Sequence, residues 1–368
     1  MNTKNIFKNA LNLSAVLCTG CLLPADISSN SNNTIQKRML GSNLEISPLG
    51  LGCMSMSGIY NEAKNPKDMA KVISEAIDLG ITHFDTAELY GDAENEIIVG
   101  NALKNKRHQV TIATKFGIDL INGQQIQNSR PERIRKAVEG SLKRLNTDYI
   151  DLYFQHRVDT NIPIEDVAGV MKDLIKEGKI LNWGLSEPGL ETLKRAHKEL
   201  PLAAIENQYS IISREVEVHL LDLLDELNIG LTLWAPLERA FLTGIHTKDT
   251  KFEKNDARYE LPRFTSAAME NNYKVAELLI ETAKSKNATP AQIALAWLLH
   301  KRSYIVPIPG TTNIEHLKED AGALNVKFSK AELEEFNKHL YSINILGSRY
   351  VPNSSNETRA GAEAPLKN

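Results

Sequence analysis

The chain has 368 residues, with 43 Lys+Arg against 46 Asp+Glu and a formal net charge of −3. That balance excludes a protein that coats nucleic acid or rides a membrane on a polybasic face. Its 3 cysteines exclude a disulfide scaffold, and no uninterrupted apolar run reaches the roughly 18 residues of a membrane span.

Residues 1–35 read differently from the rest. Lys4 and Lys8 precede an apolar stretch from Leu13 to Leu23, and the first acidic residue is Asp26. Small residues stand at Thr19 and Gly20, and a Ser/Asn-rich linker follows. The segment resembles a secretory signal peptide. Cys21 after Gly20 resembles a bacterial lipoprotein site, a lipid anchor, although Cys18 stands where that pattern usually has Leu. The alternative is a polar leader with incidental hydrophobicity, so cytoplasmic, periplasmic and membrane-anchored placements all stay open. Cys18 and Cys21 have no second pair to build a metal site with.

From residue 36 to 345 short β-rich runs alternate with amphipathic ones. Strands are expected at Ile46–Met54, Ile81–Thr86, Val110–Phe116, Tyr149–Gln155, Ile180–Ser186, Ala203–Tyr209, Leu231–Pro236 and Tyr304–Ile308. Many are near-continuous apolar runs, as parallel strands covered on both faces require. Helical stripes follow them, such as Ala70, Val72, Ile73, Ala76 and Ile77, or Ile134, Ala137, Val138, Leu142 and Leu145. Gly80, Gly178 and Gly230 fall where a left-handed residue closes a helix, and Ser129-Arg130-Pro131 suits a helix start. Eight such units predict an α/β fold, a single (β/α)8 TIM barrel, with the leader before it and a C-terminal helix plus tail after it. A doubly wound open sheet is the alternative. Against it, Gly50-Leu51-Gly52-Cys53-Met54-Ser55 lacks the third glycine of a dinucleotide fingerprint, and the next helix starts only near Pro66. The polar stretch between Leu237 and Met269 reads as a lid or substrate loop. Another helix is expected at Glu332–Leu340, and the tail, 346–368, extended over the surface.

In a barrel the polar residues at the carboxyl ends of strands are the informative ones. Strand two ends in His83-Phe84-Asp85-Thr86-Ala87, with Tyr90 in its loop; strand three ends in Thr114-Lys115-Phe116-Gly117, and strand four in Gln155-His156-Arg157. Singly, Asp85 could cap a turn, Lys115 pair at the surface and His156 sit satisfied in a loop. Together on neighbouring strands they suit carbonyl chemistry. A tyrosine is a poor acid unless a cation lies close; Lys115 can lower the pKa of Tyr90, Asp85 can orient Lys115, and His156 can position a carbonyl oxygen. No nucleophile is present, which leaves the hydride to a cofactor. No zinc spacing, Gly-x-Ser-x-Gly elbow or Walker loop occurs, so no metal is expected.

The run Phe84-Asp85-Thr86-Ala87-Glu88-Leu89-Tyr90-Gly91, with Thr114-Lys115-Phe116-Gly117 and His156, resembles the aldo-keto reductase superfamily. The likeness runs from about Arg38 to Leu340 and includes Gly50-Leu51-Gly52-Cys53-Met54, Trp183-Gly184-Leu185-Ser186, Gln208-Tyr209-Ser210 and Ile308-Pro309-Gly310-Thr311. It is nearest the bacterial, fungal and plant branch. The resemblance implies reduction of an aldehyde or ketone by hydride transfer from NADPH, with Tyr90 as proton donor. It also implies cofactor contacts from Ser186, Glu187, Glu206, Trp234, Pro236, Leu237, Gly310, Thr311, Thr312, His316, Glu319 and Asp320, and a pocket lined by Met54 and Phe116.

Several of these depart from the family pattern. Glu187 stands where many members have Asn, and Glu206 where a carboxamide-binding Gln is usual; a carboxylate accepts from an amide but cannot donate to it. Trp234 keeps the aromatic face that stacks on nicotinamide. At the adenosine 2′-phosphate end His316 occupies the usual Arg position and Asp320 replaces a usual Asn, so bidentate guanidinium contact is lost there. The helix N-terminus after Thr311 can still receive a phosphate. NADPH use with relaxed discrimination against NADH is the expectation. A cofactor-binding regulatory or sensor subunit with little turnover is the alternative, and a sugar-acting oxidoreductase outside the cytoplasm a third. The expected partner is a small-molecule carbonyl compound, not nucleic acid; substrate identity and oligomeric state are open.

Overall fold

The computed structural model describes residues 36–58, 63–254 and 256–367. The leader expected over 1–35, with Cys21, lies outside the described residues. The described chain opens with an antiparallel hairpin, β1 (Arg38–Leu40) and β2 (Leu44–Ile46). Then come β3 (Gly50–Gly52), β4 (His83–Asp85) and β5 (Thr111–Phe116). A second hairpin, β6 (Ile118–Ile121) and β7 (Gln124–Gln127), interrupts the series. It resumes with β8 (Leu152–Gln155), β9 (Trp183–Ser186), β10 (Ala204–Gln208), β11 (Gly230–Trp234) and β12 (Ile305–Pro307). Strands β3, β4, β5 and β8 to β12 form one 8-stranded parallel sheet whose order follows the chain. Gly52 bridges to Gly310, and its N–H donates to the Pro309 carbonyl at 3.1 Å, which draws the two edges together. All eight expected strands are present, and the (β/α)8 barrel displaces the open-sheet alternative.

Helices cover the outside: α1 (Pro66–Asp78), α2 (Glu94–Leu103), α3 (Pro131–Leu145), α4 (Ile164–Lys176), α5 (Leu190–Glu199) and α6 (Leu220–Leu227). They continue with α7 (Ser266–Lys286), α8 (Pro290–Leu299), α9 (Ile314–Gly322), α10 (Lys330–Ser342) and α11 (Ser355–Arg359). Helix α1 starts at Pro66 under an Asn65 cap and buries Val72, Ile73 and Ala76 as its stripe requires. Gly80 and Gly178 are left-handed, with φ of 79° and 73°. Gly230 is not. Asn228 takes that role, at φ 52°, and Gly230 opens β11, where a Cβ would lie 2.4 Å from the Leu40 side chain. Nor does Ser129 cap α3: Arg130 is the N-cap, and the buried Ser129 hydroxyl accepts from Gln155 Nε2 at 2.8 Å.

Strand alternation divides the sheet into two cores. Outward residues such as Leu51, Phe84, Ile112, Phe116 and Tyr153 join the helices in the larger one. Inward residues Ala113, Leu152, Phe154, Ala204 and Val306 pack with Leu40, Leu44 and Ile46 of the first hairpin in the smaller one. That hairpin plugs the barrel floor. Above it the lining turns polar, and Gly184 makes room: a Cβ there would stand 2.3 Å from the Ala204 carbonyl and 2.4 Å from the Phe154 ring.

The stretch after β11 is more built than a polar loop. Phe241, Leu242 and Phe264 are buried, while Ala235, Glu238, Arg239 and Ala240 all take positive φ. The tail is also tied down rather than merely extended. The Glu363 carboxylate accepts from the Glu191 N–H at 3.1 Å and the Thr192 N–H at 2.6 Å, satisfying the first turn of α5, and Pro188 bridges to Ala362. Among the described residues no helix is long and apolar enough to cross a membrane.

Candidate active site

The expected tetrad converges at the carboxyl ends of β4, β5 and β8. Lys115 is fully buried, and its Nζ donates to Asp85 Oδ1 at 2.5 Å, to the Thr86 carbonyl at 2.9 Å and to the Tyr90 hydroxyl oxygen at 3.3 Å. The His156 ring meets the Tyr90 ring edge-on, with centroids 5.8 Å apart. The loop carrying Tyr90 is held by Asn95, whose Nδ2 donates to the Cys53 carbonyl at 2.8 Å and to Ser57 Oγ at 2.9 Å, while Thr86 donates to its Oδ1 at 2.6 Å. Gly91 sits at φ +59°, and a Cβ there would strike Ser57 at 2.5 Å.

Burial works against the Lys115 charge, but the Asp85 and Glu206 carboxylates outweigh it and hold the ammonium above the usual lysine range. Tyr90 differs from expectation. Burial drives its phenol above 10, Lys115 pulls it back, and Asp85 and Glu206 push it up again, so the net direction is upward. Burial, with Arg157 and Lys115 nearby, keeps His156 well below the usual histidine range, and its Nδ1 has no partner among the described residues. It is a neutral imidazole, free to donate or accept.

Glu206 is the unexpected member. Its Oε1 lies 3.3 Å from Lys115 Nζ, and the carboxyl is buried inside the barrel. Burial and the neighbouring Asp85 push it up to about 8. The position resembled a carboxamide contact, but alternation along β10 turns it inward onto Lys115. Glu187 is likewise committed elsewhere. At φ 52° its buried carboxylate accepts from the Gln208 N–H at 2.9 Å and from both terminal nitrogens of Arg349 in the tail.

Ser186 Oγ accepts from Arg157 at 2.8 Å. Trp234 stands half-buried at the end of β11 with its Nε1 unpartnered, and the guanidiniums of Arg239 and Arg349 each lie 5.9 Å from its ring. Pro236 is buried, and Leu237 packs on the core. Beyond the Gly310 bridge, Thr311 is buried and Thr312 half-buried before the N-terminus of α9. There His316 is exposed, Glu319 half-buried and Asp320 buried; burial and Glu319 push Asp320 up to about 8. Lys318, the cation on this helix, is occupied by Glu315 at 3.2 Å. Met54 lies half-buried on a short 3-10 turn beside β3. Phe116 does not line a pocket: with Lys115 pointing inward it must point out, and it is wholly buried against Tyr153, centroids 4.7 Å apart. Among the described residues no group of His, Cys, Asp and Glu is placed to hold a metal ion.

Sequence reasoning passed over Arg349 and Glu238. The Glu238 carboxylate is fully buried and accepts from Gln208 at 2.9 Å, Ser210 at 2.7 Å and Arg263 at 3.4 Å. No local pattern marks either, because each partner comes from a distant segment.

A polar layer of acid, lysine, tyrosine and histidine at the mouth of a (β/α)8 barrel defines an oxidoreductase of the carbonyl-reducing kind, and comparison with known proteins agrees. The model of the aldo/keto reductase family matches residues 48–341, and the chain belongs to that family. "Probable aldo-keto reductase 1" of Glycine max is 42% identical over 320 residues, 86% of this chain and 92% of that relative. A glycerol dehydrogenase structure from Gluconobacter oxydans superimposes with a TM-score of 0.78 at 27% identity, over 88% of this chain and 98% of that one. An aldo-keto reductase from Klebsiella pneumoniae, solved in complex with NADPH, gives 0.66 at 26% identity, over 86% and 99%.

Proposed function

We propose that the protein reduces an aldehyde or ketone to an alcohol with NADPH, and that Tyr90 delivers the proton. The observation that carries this reading is the direction of one hydrogen bond. Lys115 Nζ donates to the phenol oxygen at 3.3 Å, so the tyrosine's own hydrogen is left to point at a carbonyl oxygen in the mouth. As the carbonyl is reduced, the Tyr90 O–H bond breaks toward that oxygen, and the buried ammonium stabilises the phenolate left behind. Asp85 fixes the ammonium. Neutral His156 orients the carbonyl by hydrogen bonding without adding a charge.

The residues present fit a nicotinamide dinucleotide at two of its three parts. Trp234 offers a ring face at the mouth, and the buried Thr311 leads into the N-terminus of α9, where the Asn313 side chain caps the Glu315 N–H and the remaining first-turn N–H groups can meet a phosphate. The carboxamide set is thinner, with Ser186 left after Glu187 and Glu206 are committed elsewhere. The bound cofactor supplies the hydride for the carbonyl carbon. Substitution Tyr90→Phe tests the reading: it removes the donated proton while leaving the fold and the cofactor surface. Turnover should be lost and cofactor fluorescence quenching kept; a variant that still turns over overturns the assignment. The same experiment separates an enzyme from a sensor subunit, because a sensor shows negligible turnover before the substitution too.

A further inference from the structure

Two carboxyl groups meet on Lys115 inside the barrel, and only one is needed to orient it. Asp85 Oδ1 is 2.5 Å and Glu206 Oε1 3.3 Å from Nζ, with all three side chains at 4% exposure or less. The outer oxygens, Asp85 Oδ2 and Glu206 Oε2, are buried with no hydrogen-bond partner among the described residues, so both carboxyls meet on one ammonium. Two ionised carboxylates on one buried ammonium leave a net buried negative charge, and one proton held by the pair removes it. We infer that Glu206 is a positioning residue of this site: with Asp85 it clamps Lys115 and shares one proton, and that proton decides whether Tyr90 can act as an acid. The inference rests on the reductase reading above.

The charge count gives the reason. With the proton in place, Asp85, Glu206 and Lys115 sum to zero. When it is lost, a buried negative charge remains beside Tyr90, and the two carboxylates then press together against phenolate formation. Reduction ends with a phenolate at Tyr90, so losing the proton slows it. The other groups facing Glu206 do not offset this. His83 on β4 is neutral, pushed by burial down to about 4, and burial likewise keeps the Cys53 thiol protonated. His156 beyond β8 is neutral, and β9 and β11 present Ser186 and Thr232 in register with Glu206. The two carboxyls titrate as a pair, so the gating belongs to the pair.

The test compares wild type with Glu206→Gln, which keeps the shape of the protonated acid and cannot ionise. Wild-type reduction should fall roughly tenfold per pH unit above about pH 8, and the variant's profile should lose that fall, whatever its absolute rate. Infrared spectra of the protein without cofactor provide a readout independent of turnover. A buried glutamic acid band, told from the buried Asp320 carboxyl by isotope labelling of the glutamate side chains, should be present in wild type at about pH 6, absent at about pH 10 and absent in the variant. Profiles that decline together, or no such band in wild type, overturn the inference. Wild-type protein isotope-labelled at its glutamate carboxyls gives the same reading should the variant not fold. Tyr90→Phe keeps the fates apart: its band should persist without turnover, whereas turnover in it overturns the reductase reading alone.

Discussion

Arg349 in the tail closes a two-pronged ion pair on Glu187, 162 residues earlier, at the carboxyl end of β9. The guanidinium also lies 4.7 Å from the Tyr350 ring and reaches over Trp234. A carboxylate this buried is held by its partner, and removing one member leaves an unpaired buried charge. Arg349→Ala should therefore cost about 3–5 kcal/mol, and adding Glu187→Gln should recover most of it. Urea midpoints of the two single variants and the double variant give the coupling energy; simple additivity would show that the pair does not hold the tail.

Cofactor choice should be loose. Around α9 the exposed His316, the occupied Lys318 and the acidic Glu319 and Asp320 offer no free guanidinium to a 2′-phosphate. The ratio of kcat/KM for NADPH over NADH should stay below roughly a thousandfold, about 4 kcal/mol. A larger ratio would show that cations elsewhere along the mouth read the phosphate.

Asp320 should make the protein less stable as the pH rises from about 4 to about 8. Its folded pKa of about 8 lies above the 3.8 of an ordinary aspartate, so between the two the folded state holds a proton that the unfolded state has released. Stability from this group is thus full below the unfolded value and drains away as pH rises toward 8. Asp320→Asn should add on the order of 5 kcal/mol at pH 8 and little at about pH 4. Chemical denaturation at the two pH values decides it, and an equal effect at both would refute the titration.

Ala240 pays for its left-handed backbone, at φ 73°, with no side-chain cap to compensate. Ala240→Gly should raise stability by about 1 kcal/mol. A thermal midpoint that falls instead would show that the methyl group packs where strain was expected.

The sequence made the barrel legible because parallel strands buried on both faces leave near-continuous apolar runs, and the tetrad legible because its members sit at the ends of those runs. Phe116 was legible too, and misread: its neighbour Lys115 faces inward, so strand alternation already sends it outward. The turn at Asn122-Gly123, with φ of 51° and 78°, announces the β6–β7 hairpin by its composition, a signal passed over. Glu206 against Lys115, and Arg349 against Glu187, were not legible. Each pairing exists only after the sheet has closed or the tail has returned, and no spacing along the chain encodes it.

The hairpin beneath the barrel has a consequence for proton traffic. Leu40, Leu44 and Ile46 fill the floor with hydrocarbon, and Leu40 leaves no gap against Gly230. The polar side of the lysine layer is therefore the mouth, where Tyr90 stands. On the reductase reading, that is also the side from which the substrate comes. On that reading a bound carbonyl compound would stand between the lysine layer and bulk solvent, so the layer would exchange protons more slowly while it is occupied.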